Sequence, residues 1–433
     1  MGEGNRWLAF LARVRVPLLV IAVVAALVVL TGDHYAFLLG IAIFVLALLI
    51  SVMLHELGHF LTAKKFGMRV TQFFLGFGTT LWSFFRGETE YGIKALWLGG
   101  FVKISGMTSM DEIDVADEPR SFRNQPGWQR IIVLSAGSFM HFVLALFLLF
   151  VLAVGIGMAA ETNTVSAVTT CVPPSVTALN SANPCSGSHL TKSPASTFGV
   201  RTGDKIISVD GKPVGSFAQL RAQLASTKAG VPVPLVVVRD GHQVHLTVRL
   251  ASIPHYSVPY LGVEAATVYQ REGIISSAGF AFSQFGDTIT SSVSAIGKLP
   301  AAIPDLFAKN RAATPAGDVS SVVGVGDVTG DVVAAAIPWQ AKATLVLYLI
   351  ASLNIFVGLF NLLPLLPLDG GHLAVVIYER IRAWFARLLG RPDPGLVDIQ
   401  KLVPVSLLVF AVLVGLGTLL IAADIFNPVH IQV

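Results

Sequence analysis

Residues 54–60 read Leu54-His55-Glu56-Leu57-Gly58-His59-Phe60, and they follow directly on an apolar run that begins at residue 36. On a helix, side chains four residues apart share a face, so the imidazoles of His55 and His59 project together. That spacing suits two ligands of one zinc ion, with Glu56 beside them as general base on water. In a soluble chain the five-residue pattern arises by chance often enough to carry little weight. At the end of an apolar run ionisable groups are costly, and each marks a functional position by default. The plainer alternative is a helix end whose polar groups meet headgroups and water.

The surrounding chain favours the membrane. Of its 433 residues, 54% are hydrophobic and 13% charged, against about 25% charged in soluble domains. Long apolar runs occupy residues 36–54, 131–154, 345–366 and 402–423, each near the ~20 residues that cross a hydrocarbon core. A shorter run, residues 16–30, follows Arg13 and Arg15. No small-residue cleavage site comes after it, so it reads as an uncleaved first span rather than a signal peptide. The net charge of +4 is modest and implies no nucleic-acid partner.

The distribution of Lys and Arg gives the topology. Basic clusters lie before the first run, after the second (Lys64, Lys65, Arg69), before the third (Arg120, Arg123, Arg130) and after the fourth (Arg380, Arg382, Arg387, Arg391). With five spans all of them fall on one side, which the positive-inside rule makes cytoplasmic. Residues 157–340 then form one external region. It holds both cysteines, Cys171 and Cys185, which are expected to pair as a structural disulfide in an oxidising compartment. Free thiols are the alternative.

The second metal-site motif is found by asking for a third ligand. Asp369 stands in Asn361-Leu362-Leu363-Pro364-Leu365-Leu366-Pro367-Leu368-Asp369-Gly370-Gly371, at the end of the fourth run. Spans two and four run in the same direction, so His55 and Asp369 reach the same depth. A helix-ending turn is the alternative for Asp369, and His372 is a rival ligand better read as a supporting group. Pro364 and Pro367 break the helix, and irregular backbone at membrane depth must line a cavity or be buried in protein. Such a segment offers backbone groups to an unwound substrate, and Asn361 could hydrogen-bond the substrate or its oxyanion. Asn354 is another intramembrane polar group, suited equally to an interhelical hydrogen bond.

Residues 73–104 alternate and are glycine-broken, which favours strands. They could form a cytoplasmic hairpin with its own core, or a sheet dipping into a membrane cavity. Residues 107–128 read as a surface loop and 161–197 as loop with some strand. Strands at 205–209, 234–239 and 243–250, Asp-Gly turns at 210–211 and 240–241, and helical spacing at 217–225 make a small α+β module. Residues 266–335 are less legible, with helical stretches such as 274–285 that could lie on the outer membrane surface.

The order of these parts resembles the site-2 protease family, in particular its bacterial envelope-stress branch, which carries a PDZ domain between the central spans. The resemblance extends over nearly all of the chain from residue 36. It implies a polytopic α-helical membrane protein: a four-span protease core plus an extra N-terminal span, a membrane-associated β-sheet and an extracytoplasmic PDZ domain. It implies that His55, His59 and Asp369 bind Zn2+, that Glu56 activates water, and that Asn361, Pro364 and Pro367 contact substrate. Residues 73–107, ending in Leu98-Gly99-Gly100-Phe101-Val102-Lys103, match the family's sheet. The expected segments are a tail and first span to residue 35, a catalytic span at 36–65, and sheet plus cytoplasmic loop at 66–130. A span at 131–157, the PDZ domain at 158–265 and an amphipathic linker at 266–340 follow. A second catalytic span at 341–371, a cytoplasmic loop at 372–401 and the last span with its tail at 402–433 complete the chain.

Family substrates are single-span membrane proteins, commonly anti-sigma factors already trimmed by an upstream site-1 protease, cut in the bacterial plasma membrane. Relatives commonly have Pro and Asn where this chain has Ser138 and His141. His141 is expected to replace a hydrogen-bonding Asn rather than to approach the metal. Pro367 falls one place later than in many relatives. A silent PDZ receptor would not need a complete metal site, and a metal transporter would need polar groups across the whole bilayer.

Overall fold

A computed structural model describes residues 35–107, 113–179, 184–185, 190–309, 311 and 314–428. The expected first span at residues 16–30 lies outside the described residues. The chain divides into two compact units, Met1–Val154 with Gly273–Val433, and Gly155–Glu272.

Helix α1 (Tyr35–Lys65) carries no charged side chain until Glu56 and ends on Lys64 and Lys65. Strands β1 (Val70–Arg86) and β2 (Thr89–Ile104) follow as one long hairpin. It is folded upon itself: Gln72–Leu75 pairs with residues 100–103 and also with residues 90–93, while residues 82–86 pair with residues 89–93. The fold-back occurs at Gly76, whose φ of +87° and close approach to the Leu96 carbonyl exclude a side chain. The strands expected at residues 73–104 are thus present. Phe77, Trp82, Phe84, Phe85, Leu96 and Trp97 stand exposed on it, an apolar surface suited to lipid. Its inner end is anchored by Met68, Val70 and Ile104, packed with Ala63, Phe122, Val133, Leu134 and Val376.

Helix α2 (Gly127–Val151) starts after Pro126 and continues through one wider turn to Ile156. In the second unit β3 (Met158–Val168), β4 (Lys205–Val209), β5 (Lys212–Pro213), α3 (Phe217–Ala225), β6 (Pro232–Arg239), β7 (His242–Arg249) and β8 (Val263–Gln270) succeed one another. The sheet order is β7-β6-β4-β3-β8, with β5 on β4. Both Asp-Gly pairs take positive φ, as tight hairpins require. The core gathers Ile206, Val209, Leu235, Val237 and Val248 under Leu220 and Leu224 of α3. Cys171 and Cys185 are disulfide-bonded. Strand β8 pairs with β3, so the unit extends beyond residue 265.

The first unit resumes with α4 (Ile274–Ala302) and α5 (Val322–Ala334). The segment that was least legible in sequence is thus mostly helical. Ala281 of α4 is buried with Ala145, Leu149, Ala351 and Ile355, so this helix packs on the spans. Helix α6 (Trp339–Asn361) ends where the prolines begin, and α7 (Asp369–Leu388) starts on the predicted ligand. Residues 372–401, expected as a loop, are therefore largely helix: Val376, Glu379 and Ala383 recur at helical spacing and are buried. Helix α8 (Val403–Phe426) closes the chain, fixed near its end by a buried Arg311–Asp424 ion pair at 2.8 Å. Helices α1, α2 with its extension, α6 and α8 are long and apolar enough to cross a membrane. The chain is a multi-pass membrane protein.

Candidate metal centre

Three chain segments meet at the site. Helix α1 brings His55, Glu56 and His59, the start of α7 brings Asp369, and α2 supplies the wall behind them. The Nε2 atoms of His55 and His59 lie 3.1 Å apart. Each faces Asp369 Oδ2, at 3.1 Å and 3.3 Å respectively. His55 and His59 are buried, and the three donor atoms lie within 4.8 Å of one another.

The close approach depends on small residues. A Cβ on Gly137 of α2 would come within 2.4 Å of His59 Nε2 and 2.5 Å of His55 Cε1. A Cβ on Gly58 would come within 2.4 Å of the Ala136 carbonyl. Glycine at both positions lets α1 and α2 touch along the face that carries the imidazoles. Gly370 and Gly371 likewise press on the backbone of residues 362–366, folding the broken segment so that Asp369 turns inward. The peptide between Leu366 and Pro367 is cis.

The donor chemistry fits a divalent cation. His59 Nδ1 donates to the Val133 carbonyl at 2.7 Å, which leaves Nε2 as the lone-pair nitrogen of the neutral ring. Two imidazole nitrogens and a carboxylate oxygen then converge, and lone pairs at this separation repel unless a cation lies between them. Tetrahedral zinc with bonds of about 2.0–2.1 Å sets neighbouring donors roughly 3.3 Å apart, close to the spacing seen.

Glu56 sits on the same helix turn. Its Oε2 accepts the Val102 backbone N–H at 3.0 Å, and a Cβ on Gly100 would be 3.4 Å from its Cγ. Strand β2 therefore borders the acid. Of the two sheet arrangements open in sequence, this contact favours the one at the site.

His141 is 2.8 Å from Asn354 Oδ1, and Ser51 Oγ donates to the same oxygen. The ring centroid of His141 is 5.0 Å from that of His55. Ser51, His141 and Asn354 thus tie α1, α2 and α6 together beneath the site, the hydrogen-bonding role expected for His141. Asn361 is half-buried at the end of α6, and Pro364 and Pro367 are exposed in the break. His372 points elsewhere, into a cavity it lines with Phe122, Arg130 and Glu379. Sequence reasoning missed Gly137, the Val133 carbonyl and the Val102 N–H. Only Gly137 left a signal, as a small residue in the Ala136-Gly137-Ser138 stretch of a span.

Outside the spans, Glu88 of the hairpin turn links three segments. It accepts from Lys64 Nζ at 2.6 Å and from two Arg120 nitrogens at 2.8 Å. The Arg120 hydrogen bonds, aided by Lys64, hold its carboxyl down at about 2 against the opposing effect of burial.

Apolar spans around an inward His-Glu-x-x-His helix and a carboxylate from a second segment define a membrane-embedded metallopeptidase. The family model described as Peptidase family M50 matches residues 43–388, and the chain belongs to that family, the site-2 proteases. It is similar to zinc metalloprotease Rip1 of Mycobacterium tuberculosis, 36% identical over 416 residues, covering 91% of this chain and 99% of the relative. Metalloprotease MmpA of Caulobacter vibrioides is 28% identical over 375 residues, covering 78% of this chain and 85% of the relative.

Proposed function

We propose that this zinc metalloprotease holds its metal on His55, His59 and Asp369 and hydrolyses a peptide bond within the transmembrane segment of single-span membrane proteins. The observation that carries the reading is the convergence of those three donors beside Glu56 at the end of an apolar span. Zinc held by His55, His59 and Asp369 would supply a Lewis acid for the scissile carbonyl and lower the pKa of water toward neutrality. Glu56 takes the proton from that water and passes it to the leaving amine. The Val102 N–H orients its carboxylate, and the exposed backbone of residues 362–368 receives the unwound substrate, with Asn361 and the two prolines beside it.

The substrates in this reading are anti-sigma factors first trimmed outside by a site-1 protease, and the setting is the bacterial plasma membrane. The 155–272 unit is a PDZ module outside the cell that screens what enters, and the metal lies toward the cytoplasmic side. The sheet and helix of that unit, and the segregation of Lys and Arg along the chain, support this arrangement.

A paired assay of the wild type and Glu56→Gln on a tagged, trimmed single-span anti-sigma factor tests the core claim. The variant should keep its zinc and lose cleavage by about 10²–10⁴-fold. Equal cleavage by the two proteins sinks the mechanism.

A further inference from the structure

We propose that α7 is an in-plane membrane-surface helix whose outward face is seated among anionic lipid headgroups. Three observations on this helix converge. One face is committed to the protein: Val376, Glu379 and Ala383 are buried, and Glu379 pairs with the buried Arg130 of α2 at 2.8 Å. The opposite face carries Ile377, Tyr378, Ile381, Trp384, Phe385 and Leu388, each between 41% and 63% exposed. Their spacing repeats by three and four residues, so they form one continuous stripe. A stripe of that size facing water is costly, which marks it as a contact surface.

The helix does not cross a membrane, since it is not among the four helices apolar enough to do so. Four charged residues, Glu379, Arg380, Arg382 and Arg387, interrupt it.

The arginines identify the occupant. At about 100° per residue, Arg380 and Arg387 fall along one flank of the apolar stripe and Arg382 along the other, while Arg391 follows the helix end past Leu389 and Gly390. Arg380 lies over Gly127. The Arg382 guanidinium sits 5.7 Å from the Tyr378 ring and donates to the Pro394 and Gly395 carbonyls. Arg387 Nε donates to the Ala383 carbonyl. The ion pairs described in this region are Arg130–Glu379 and Lys401–Asp398.

An apolar centre flanked on both sides by cations matches a boundary that is apolar within and anionic at its surface. Long arginines reach from such a face to phosphates while their stems stay on apolar ground. Trp384 and Tyr378 are the side chains that favour this level, and the cytoplasmic leaflet is the anionic one. An acidic protein partner would satisfy the arginines but not the wide apolar centre. Because α7 begins at Asp369, seating it fixes the level of that carboxylate relative to His55 and His59.

The test uses the full chain in nanodiscs of phosphatidylcholine, alone or mixed with phosphatidylglycerol. The two native cysteines are paired, so single replacements Ile381→Cys, Phe385→Cys and, as an exposed reference in the following loop, Pro392→Cys can each carry one nitroxide. Labels at 381 and 385 should collide with oxygen more than with a water-soluble nickel chelate, and the label at 392 the reverse. Arg387→Gln with Arg391→Gln, both exposed in the wild type, should reduce phosphatidylglycerol retained in native mass spectrometry about tenfold or more, with phosphatidylcholine unchanged. Nickel access at 381 and 385 equal to that at 392 overturns the proposal, because the face would then meet water. Shielding from both reagents overturns it in favour of a protein partner. Unchanged phosphatidylglycerol retention overturns the anionic selectivity.

Discussion

Two carboxylates in this chain, Asp204 buried and Asp369 half-buried, are treated in opposite ways. In the second unit, Asp204 is saturated with donors. Arg239 grips both its oxygens at 2.8 Å and 2.7 Å, the Arg201 backbone N–H adds a bond at 2.8 Å, and the same guanidinium also reaches the Gly199 carbonyl. Both oxygens there meet donors, Oδ2 twice. In the membrane unit, Asp369 Oδ2 faces two imidazole nitrogens, one of which has its proton committed to Val133 on the far side of the ring. One carboxylate is closed by the fold and finished. The other, in the reading proposed above, is completed by a cation. Burial of an acid is therefore not itself a sign of function; what its lone pairs are offered is.

The sharpest break in this comparison is Asp369→Ala. It should abolish zinc retention while leaving the helical content unchanged, measured by metal analysis beside circular dichroism. Zinc occupancy equal to wild type would show that the ligand lies elsewhere. Gly137→Ala is subtler. Its new methyl would press on both imidazoles at 2.4–2.6 Å, and such an overpacked contact must move them. Zinc affinity should fall by about 10–100-fold, the range seen when supporting groups around a metal are disturbed. Chelator competition measures it, and an unchanged affinity would mean that the helix contact yields instead.

On the closed side, Asp204→Ala strands Arg239 and the Arg201 backbone donor. The opening free energy of the 155–272 unit should fall by about 2–3 kcal/mol, read in the full chain by hydrogen exchange of its strands. Zinc content should not change, and a loss of zinc would break the contrast. Burial works to raise the Asp204 carboxyl, and the hydrogen bonds from Arg239 and Arg201 outweigh it, so the carboxyl is lowered overall. Its contribution is accordingly present above the ordinary aspartate range and is lost as pH falls.

The membrane side was the more legible of the two in sequence, for a physical reason. Hydrocarbon makes every ionisable side chain expensive, so His55, Glu56, His59 and Asp369 stand out against their apolar runs. Strand 205–209 and helix 217–225 of the second unit were visible through Asp-Gly turns and helical spacing, but Asp204 gave no sign of its partner 35 residues away. The groups that orient the proposed metal ligands were hidden for another reason. The Val133 carbonyl and the Val102 N–H are main-chain atoms, present at every residue, and only the packing of α1 on α2 and β2 selects them. Residues 266–335 read as partly helical and residues 372–401 as a loop, without the bounds of α4, α5 and α7. Their glycine and arginine content masks helices whose stability comes from the spans they rest on, not from propensity.

Between the closed and the open carboxylate lies Glu88, and it offers the finest test. Like Asp204 it is ringed by donors, from Lys64 and Arg120, yet like the metal site it joins α1 to the hairpin that borders Glu56. It is more exposed than either, so solvent screening limits the whole arrangement to at most about 1 kcal/mol. Because its folded carboxyl is held at about 2, below the usual value of 4.5, its contribution is complete above pH 4.5 and disappears as pH falls toward 2. Glu88→Gln should therefore raise hydrogen exchange slightly at the end of α1 and around Arg120 near neutral pH. The gap between variant and wild type should narrow on acidification and also with added salt. A gap that stays constant with both would mean that Glu88 acts through packing alone, and would move it to the side of the comparison where the fold, not charge, does the closing.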